Sequence, residues 1–407
     1  MDYVLDLDFA VFPMTSVVIS LGIFLCVVIT ASLYARRREG ITAALMLSVL
    51  SIVFGVVFSR FLHWYFNGEA YASLRAAFTD FSRGSYCLQG MFLGIWLAAI
   101  LVRGMGLTRN IPALLDAAAP GVCLLVAFIR LSALFNTTCR GRITFKTKLF
   151  QRLPFSVPST DAAGNVTYRF ASFFIACLLM LVVTIVVWRF YLREDERWMK
   201  RPCGIDGNTM RIALVLYGVV EIIMDSTRND SPLMHFRFIS QLNKFSAFIS
   251  LAQIFAAVAI LCVLIYYSRM SIRANGFKWY HPLLWIAFLA SLFGVGKLGE
   301  YNVQRYATYL KCYAWMGGSL IVMAATAILA WASCPGDGRT SENGRVSAPA
   351  ETDTANRKNV RLITARFFFS GGCRPRRGAV DYSSAMTSHS SSTSFGSFAT
   401  STQERAG

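Results

Sequence analysis

Glu221 and Asp225 lie one helical turn apart in an apolar run, with Tyr217 one turn before them and Arg228 three residues after. Residues three and four apart share a helix face, so a helix here would carry a phenol, two carboxylates and a guanidinium in one stripe. Arg130 lies near the end of a second apolar run, with Asn136 and Arg142 just beyond it. Asp116 opens that same run, Arg60 ends another, and Gln89 lies in a fourth. An ionisable group in hydrocarbon is costly and faces either a partner or a cavity. Two chemistries suit the set. Arg130 can pair with Glu221 or Asp225 and join two helices through a buried, inert ion pair. Alternatively the arginines can handle phosphate, because the planar guanidinium fork grips phosphate oxygens bidentately and never loses its charge. No Ser/His/Asp or Cys/His arrangement accompanies them, so a covalent acyl-enzyme is not indicated. The four His form no H-x-x-H or H-E-x-x-H and the ten Cys no C-x-x-C, so no metal or other cofactor is expected.

The elements that must position these residues are membrane helices. The chain has 407 residues, of which 55% are hydrophobic and 15% charged, and its mean hydropathy is +0.49. Soluble domains carry roughly a quarter charged residues. The apolar residues also come in blocks of about 18 to 25, the length that crosses a hydrocarbon core of about 30 Å as a helix. A soluble enzyme is excluded, and so is a secreted disulfide scaffold, because most cysteines sit inside the apolar runs, where thiols behave as small core residues. Candidate spans cover about 11–35, 41–66, 86–102, 111–135, 170–192, 210–226, 245–268, 281–296 and 313–333, the last two separated by the amphipathic stretch KLGEYNVQRYATYLK.

Charge orients the spans. The leader MDYVLDLDF is acidic where a secretory signal needs a positive start, and Arg36, Arg37 and Arg38 follow the first run instead; a retained span with its N-terminus outside is expected. The alternate connections 36–40, 103–110, 193–209 and 269–280 are then cytoplasmic, and all four are basic. One outer loop departs from the rule: 136–169 holds Arg140, Arg142, Lys146, Lys148, Arg152 and Arg169 against Asp161 alone. It is either a loop that translocates regardless of charge or a headgroup site at the outer leaflet. The net charge of +18 is distributed over such loops and the tail, which fits anionic lipid; no nucleic-acid module is visible, and nucleic acid is not an expected partner. From residue 335 the sequence turns Ser/Thr-rich and basic without apolar periodicity, as expected of a disordered cytoplasmic tail.

Four segments resemble the bacterial prolipoprotein diacylglyceryl transferases, in order and spacing, between about Val11 and Met270. SRFLHWYFN (59–67) is similar to the family's G-A-R-x-x-Y segment, and SYCLQGMFLGIWLAAILVRGMGL to its F-H/Y-G-G-L-x-G segment with the basic turn that follows. LLDAAAPGVCLLVAFIRLSALFNTTCRGR (114–142) resembles D-x-x-A-P…G-R-x-G-N-F-x-N-x-E-x-x-G-R, with Asp116, Ala119, Pro120, Arg130, Asn136, Gly141 and Arg142 in register. LYGVVEIIMDSTRND (216–230) resembles Y-G-x-x-R-x-x-x-E-x-x-R, with Tyr217, Gly218 and Arg228 matching and Asp225 in place of the Glu.

The resemblance implies an all-α integral membrane protein with a seven-helix transferase core over residues 1–270; outside it, the apolar runs predict two additional C-terminal transmembrane helices over 271–334, and the composition predicts the tail over 335–407. It implies a multi-pass enzyme of the bacterial cytoplasmic (inner) membrane. That enzyme moves the diacylglyceryl group of phosphatidylglycerol onto the lipobox cysteine of a preprolipoprotein, with membrane lipid, phosphatidylglycerol and the lipobox segment as partners. By position, Arg130 and Arg228 would meet the phosphate, Arg142 and Asn136 the headgroup, and Asp225 would orient an arginine or help take the thiol proton. Tyr217, Gln89, Arg60 and Glu221 complete the expected site. The chain departs from the pattern at Asp225 and at further places, among them the Tyr of the first span, which falls at about Pro13. Glu221 stands where the family has an arginine and Gln89 where it has His or Tyr, while Ala133 and Thr138 replace an Asn and the Glu of the signature. The S-x-G-Q segment has two candidates, Ser240-Gln241 and Ser250-Gln253. A lipid-binding paralogue of the same fold, non-catalytic or of altered specificity, is therefore the alternative. An unrelated transporter would need paired broken helices in both halves, and none is visible.

Overall fold

The computed structural model of the chain describes residues 4–7, 10–37, 40–66, 71, 73–79, 86–136, 139–160, 164–200, 206–229, 249–305 and 309–334. The Ser/Thr-rich tail and Ser240-Gln241 lie outside the described residues.

Each apolar run becomes a helix because lipid offers no partner to a backbone N–H or C=O, and a helix satisfies both internally. A short hairpin, β1 (Val4–Leu7) with β2 (Ala10–Pro13), leads into α1 (Met14–Arg36). Then come α2 (Ile41–Phe66), the short α3 (Leu74–Thr79), α4 (Leu88–Gly104) and α5 (Ile111–Ser132). The connection after α5 holds one helical turn, α6 (Lys148–Gln151), and a second hairpin, β3 (Ser156–Thr160) with β4 (Val166–Phe170). Next are α7 (Ser172–Lys200), α8 (Asn208–Thr227) and α9 (Leu251–Asn275). Last come α10 (Tyr280–Phe293), which runs on through a π-helical Gly294–Tyr301 into α11 (Asn302–Arg305), and α12 (Tyr309–Ala332).

Seven of the described helices are long and apolar enough to cross a membrane. α4 is shorter, at 17 residues, and α8 carries Arg211, Glu221 and Asp225 among its 20. Large apolar side chains such as Phe24, Ile185, Ile286 and Ile321 are exposed on the outside of the bundle, where only lipid would make them comfortable.

Glycines let neighbouring helices touch. A Cβ on Gly94 of α4 would fall 2.5 Å from the Gly55 nitrogen of α2, and one on Gly90 would fall 2.4 Å from the Phe58 oxygen. The G-x-x-x-G spacing thus brings two backbones together, as is common between membrane helices. Gly22 of α1 against Phe128 and Gly121 of α5 against Cys26 repeat the arrangement. Successive helices run in opposite directions. Tyr34 near the end of α1 bonds Thr108 before α5, Tyr191 late in α7 bonds the Leu33 oxygen, and Thr227 at the end of α8 bonds Ser172 at the start of α7. One apolar core joins α1, α2, α4 and α5, a second joins α5, α7 and α8, and a third seats α10 and α12 on α8 and α9.

The basic connection after α5 carries the turn α6 and the hairpin β3–β4 beside an otherwise helical architecture. Two expectations are corrected. The stretch 297–311 is not a separator, since the helix from Tyr280 continues to Arg305. Its charged residue Glu300 is buried and bonded by Gln253 and Gln304, which removes the reason to place it outside the helix. Arg228 does not share the helical face of Glu221 and Asp225: its backbone is extended (φ −76°, ψ 145°), because residues 140–142 pair with it.

Candidate active site

α5 and α8 are joined by a buried ion pair. Nη2 of Arg130 lies 2.5 Å from each carboxylate oxygen of Glu221, and the two residues are 8% and 4% exposed. Of the two acids that could have met Arg130, Glu221 takes it. Asp225, one turn on, meets Arg228 instead, with Nη1 3.2 Å from Oδ1. Tyr217, one turn before Glu221, is buried against the edge of Phe92 of α4 at 4.9 Å between ring centroids. Its hydroxyl has no hydrogen-bond partner among the described residues. A buried hydroxyl left so costs about 1–3 kcal/mol, and such a group in a native fold asks for a ligand or a water.

The basic connection after α5 supplies the next layer. Asn136 is extended and its oxygen accepts Nη2 of Arg140 at 2.9 Å. Cys139 sits at φ 58°, a left-handed turn that redirects the chain. Gly141 then passes so close to β4 that a Cβ would meet the Phe170 oxygen at 2.6 Å. The segment is bonded on both sides. Gly141 N–H donates to Phe170 and Phe170 N–H to Ile143, at 2.7 and 2.9 Å, while Arg142 N–H donates to the Thr227 oxygen at 2.9 Å and Asn229 N–H to Arg140 at 2.8 Å. These bonds receive the last carbonyls of α8, which have no partner within the helix, and turn Arg228 into a strand residue opposite Gly141. Nε of Arg142 donates to the Arg228 oxygen at 2.6 Å. Its two Nη groups have no hydrogen-bond partner among the described residues.

Gln89 and Arg60 come from the neighbouring pair α2 and α4. Gln89 is buried at the start of α4 and accepts the Cys87 thiol at 2.9 Å. Ser59 fixes this corner, its hydroxyl donating to the Cys87 oxygen while Cys87 N–H donates to the Ser59 oxygen. Arg60 is buried, donates to the Tyr71 hydroxyl at 3.3 Å and lies 4.8 Å from the centre of the Tyr86 ring, a cation–π contact. Asp116 belongs to the opposite end of the bundle. Its carboxylate accepts the N–H groups of Gly207 and Met210 at 2.6 and 2.8 Å and so caps the start of α8, beside an Arg37–Asp206 ion pair of 3.3 Å.

The structure therefore brings together Arg130, Glu221, Tyr217, Asp225, Arg228 and Arg142, with Asn136 behind Arg140 and Gln89 at the adjoining helix start. In charge, Arg130, Arg142 and Arg228 stand against Glu221 and Asp225, an excess suited to an anion, while Arg60 stays with Tyr71 and Tyr86. Sequence reasoning missed Glu300 and Tyr313, which support α8 from its other side together with Gln253, a residue of one of the two S-x-G-Q candidates. Among the described residues no group of three or more His, Cys, Asp or Glu gathers as a metal site.

A search of curated proteins and a search of solved structures returned no match to the chain. The family model described as "LGT: Prolipoprotein diacylglyceryl transferase" matches residues 7–269. That stretch is well over half of the chain and contains every candidate residue of this site. The chain is a member of the prolipoprotein diacylglyceryl transferase family, a family of membrane transferases.

Proposed function

We propose that the protein transfers the diacylglyceryl group of phosphatidylglycerol to the thiol of a lipobox cysteine, at the outer face of the bacterial cytoplasmic membrane. The C–O bond between the diacylglyceryl carbon and the phosphate breaks, a C–S thioether bond forms, and glycerol phosphate leaves. The thiol proton passes to a base at the site. Charge develops on the leaving phosphate, so donors already aimed at it stabilise the transition state without reorganisation. The single observation that carries this reading is Arg142: its Nε is fixed on the Arg228 oxygen while both Nη groups have no hydrogen-bond partner among the described residues, and Asp225 holds the guanidinium of Arg228. Asn136 shapes the turn that presents them. Glu221, an acid where the resemblance led us to expect arginine, is tied to Arg130 and so has its charge compensated. In this reading α10 to α12 add two further crossings and place residues 335–407 in the cytoplasm.

The closed Arg130–Glu221 pair is also the observation that favours the second reading, a lipid-binding paralogue without transfer or with another donor lipid. Transfer of labelled diacylglyceryl from phosphatidylglycerol to a lipobox peptide, by the purified protein in detergent, separates the two. Transfer by the wild type supports the enzyme, and its loss in an Arg130→Ala variant that still folds and binds phosphatidylglycerol assigns that residue to the reaction; binding of phosphatidylglycerol by the wild type without transfer supports the paralogue.

A further inference from the structure

The helices α10 to α12 lie beyond the family match, which ends at residue 269, yet α12 reaches one main-chain oxygen of α8 directly, and Glu300 reaches another, one turn away, through Gln253 of α9. Gln253 of α9 donates through Nε2 to the Ile222 oxygen at 3.3 Å and to Oε2 of Glu300 at 3.1 Å. Glu300 is 3% exposed, and its other oxygen accepts Nε2 of Gln304 at 2.8 Å. Four residues along α8, the Tyr313 hydroxyl of α12 donates to the Ser226 oxygen at 3.2 Å. Ile222 directly follows Glu221, and Ser226 directly follows Asp225.

Each contact has a physical reason. A carbonyl has two lone pairs, so the Ile222 oxygen can hold its helical bond and take the amide as well. The Ser226 oxygen is one of the last carbonyls of α8, which have no acceptor role inside the helix. Two such contacts on one side fix the rotation of a helix about its axis, which one contact cannot do. The π-helical stretch places Glu300 for this role. It passes so close to α12 that a Cβ on Gly299 would meet Met316 at 2.9 Å, and a wide π turn within an α-helix commonly marks a functional position. Ile222 shares an apolar core with Met316 and Leu320 of α12, so the polar contacts sit on a packed base.

We propose that the C-terminal helices are a positioning element of the transfer site: Glu300, acting through Gln253, and Tyr313 set the rotation of α8 and with it Glu221, Asp225 and the turn into Arg228. The inference rests on the transferase reading above, because it assigns these acids and Arg228 to the reacting site. Neither Glu300 nor Tyr313 needs to touch substrate.

The test uses the full chain in phosphatidylglycerol nanodiscs, with Tyr313→Phe, Glu300→Ala and Glu300→Gln. A misplacement of about 1 Å can cost about 100-fold in rate, so Tyr313→Phe and Glu300→Ala are expected to lower kcat by about 10- to 100-fold, with KM for the lipobox peptide within about twofold. Glu300→Gln keeps an oxygen for Gln253 and is expected to restore most of the rate, which a need for the charge itself would not allow. Amide hydrogen exchange over residues 220–229 gives a readout that does not depend on turnover, and it should rise in the first two variants. Unchanged exchange, or raised exchange with unchanged kcat, overturns the inference. Raised exchange in a protein whose wild type transfers nothing supports the mechanical link and overturns the transferase reading.

Discussion

Nε of Arg142 donates to the main-chain oxygen of Arg228 at 2.6 Å. The bond orients the guanidinium of Arg142 by the backbone of Arg228, whose own side chain is held by Asp225. Asp225 compensates Arg228, and the Nη donors of Arg142, which have no hydrogen-bond partner among the described residues, form the kind of fixed fork that phosphate occupies.

Arg142→Lys is the informative substitution here. Lysine keeps the charge but cannot bond the Arg228 oxygen and present a planar fork at the same time. Removal of one donor to developing charge costs about 100- to 1,000-fold in kcat. Arg142→Lys is expected to lose about that much transfer, measured with labelled phosphatidylglycerol, while membrane insertion and thermal stability stay at the wild-type value. A lysine variant with full activity would mean that Arg142 contributes charge alone.

The Arg130–Glu221 pair makes the opposite kind of demand. Removing one partner of a buried pair leaves a charge uncompensated and destabilises by about 3–5 kcal/mol. Glu221→Ala should therefore unfold at clearly lower SDS concentration in mixed micelles. The double variant Arg130→Ala/Glu221→Ala should lose less than the sum of the single losses, because the second substitution removes the stranded charge. Glu221→Arg, which would bring the chain closer to the family pattern, puts two guanidiniums at one site and is expected to be the least stable of the series. Additive losses would show that the pair carries no coupling.

Much of this architecture is legible in the residues, for a simple reason: in lipid an apolar run has few structures open to it. What could not be read is every feature that depends on a distant partner. Asp116 looks like a costly charge in a span, and its identity as a helix cap depends on Gly207 and Met210, some ninety residues away in sequence. Helical spacing puts Arg228 on the face of Glu221, until the strand from Arg140 to Arg142 captures the last turn of α8. Glu300 lies in a stretch whose charges argue for a connection, and only Gln253 and Gln304 make it a buried residue. Glu221 and Asp225 were both open partners for Arg130, and one helical turn of α8 decides between them.

The α2–α4 contact predicts a mechanical route to the site. A methyl group at Gly94 would meet the Gly55 backbone at 2.5 to 2.6 Å, and neither helix backbone can yield as a flexible side chain could. Gly94→Ala should force the helices apart and cost about 1–3 kcal/mol, the usual range for overpacking. It should also displace Gln89, which lies on the same helix. The expected outcome is lower unfolding stability together with a reduced transfer rate. Gly104→Ala, where a Cβ meets nothing within 4 Å, is the control and should change neither.

Tyr217 offers the sharpest separation between a structural and a chemical role. Its hydroxyl is buried without a hydrogen-bond partner among the described residues, and Phe92 holds the ring from the side. Phenylalanine keeps that ring and its packing and removes only the oxygen. If the oxygen serves nothing, Tyr217→Phe relieves an unsatisfied buried group and should stabilise the protein by about 1 kcal/mol with transfer unchanged. If it donates to the phosphate or to the incoming thiol, the same substitution removes a donor acting in the transition state. Stability should then hold or rise while kcat falls by about 10- to 100-fold. We expect the second result, because Tyr217 stands one helical turn from Glu221, on the side of α8 that leads to Asp225 and Arg228, while Asp116 caps the far end of the helix. Unfolding and transfer measured on the same preparation decide it, since the two roles move stability alike and activity apart.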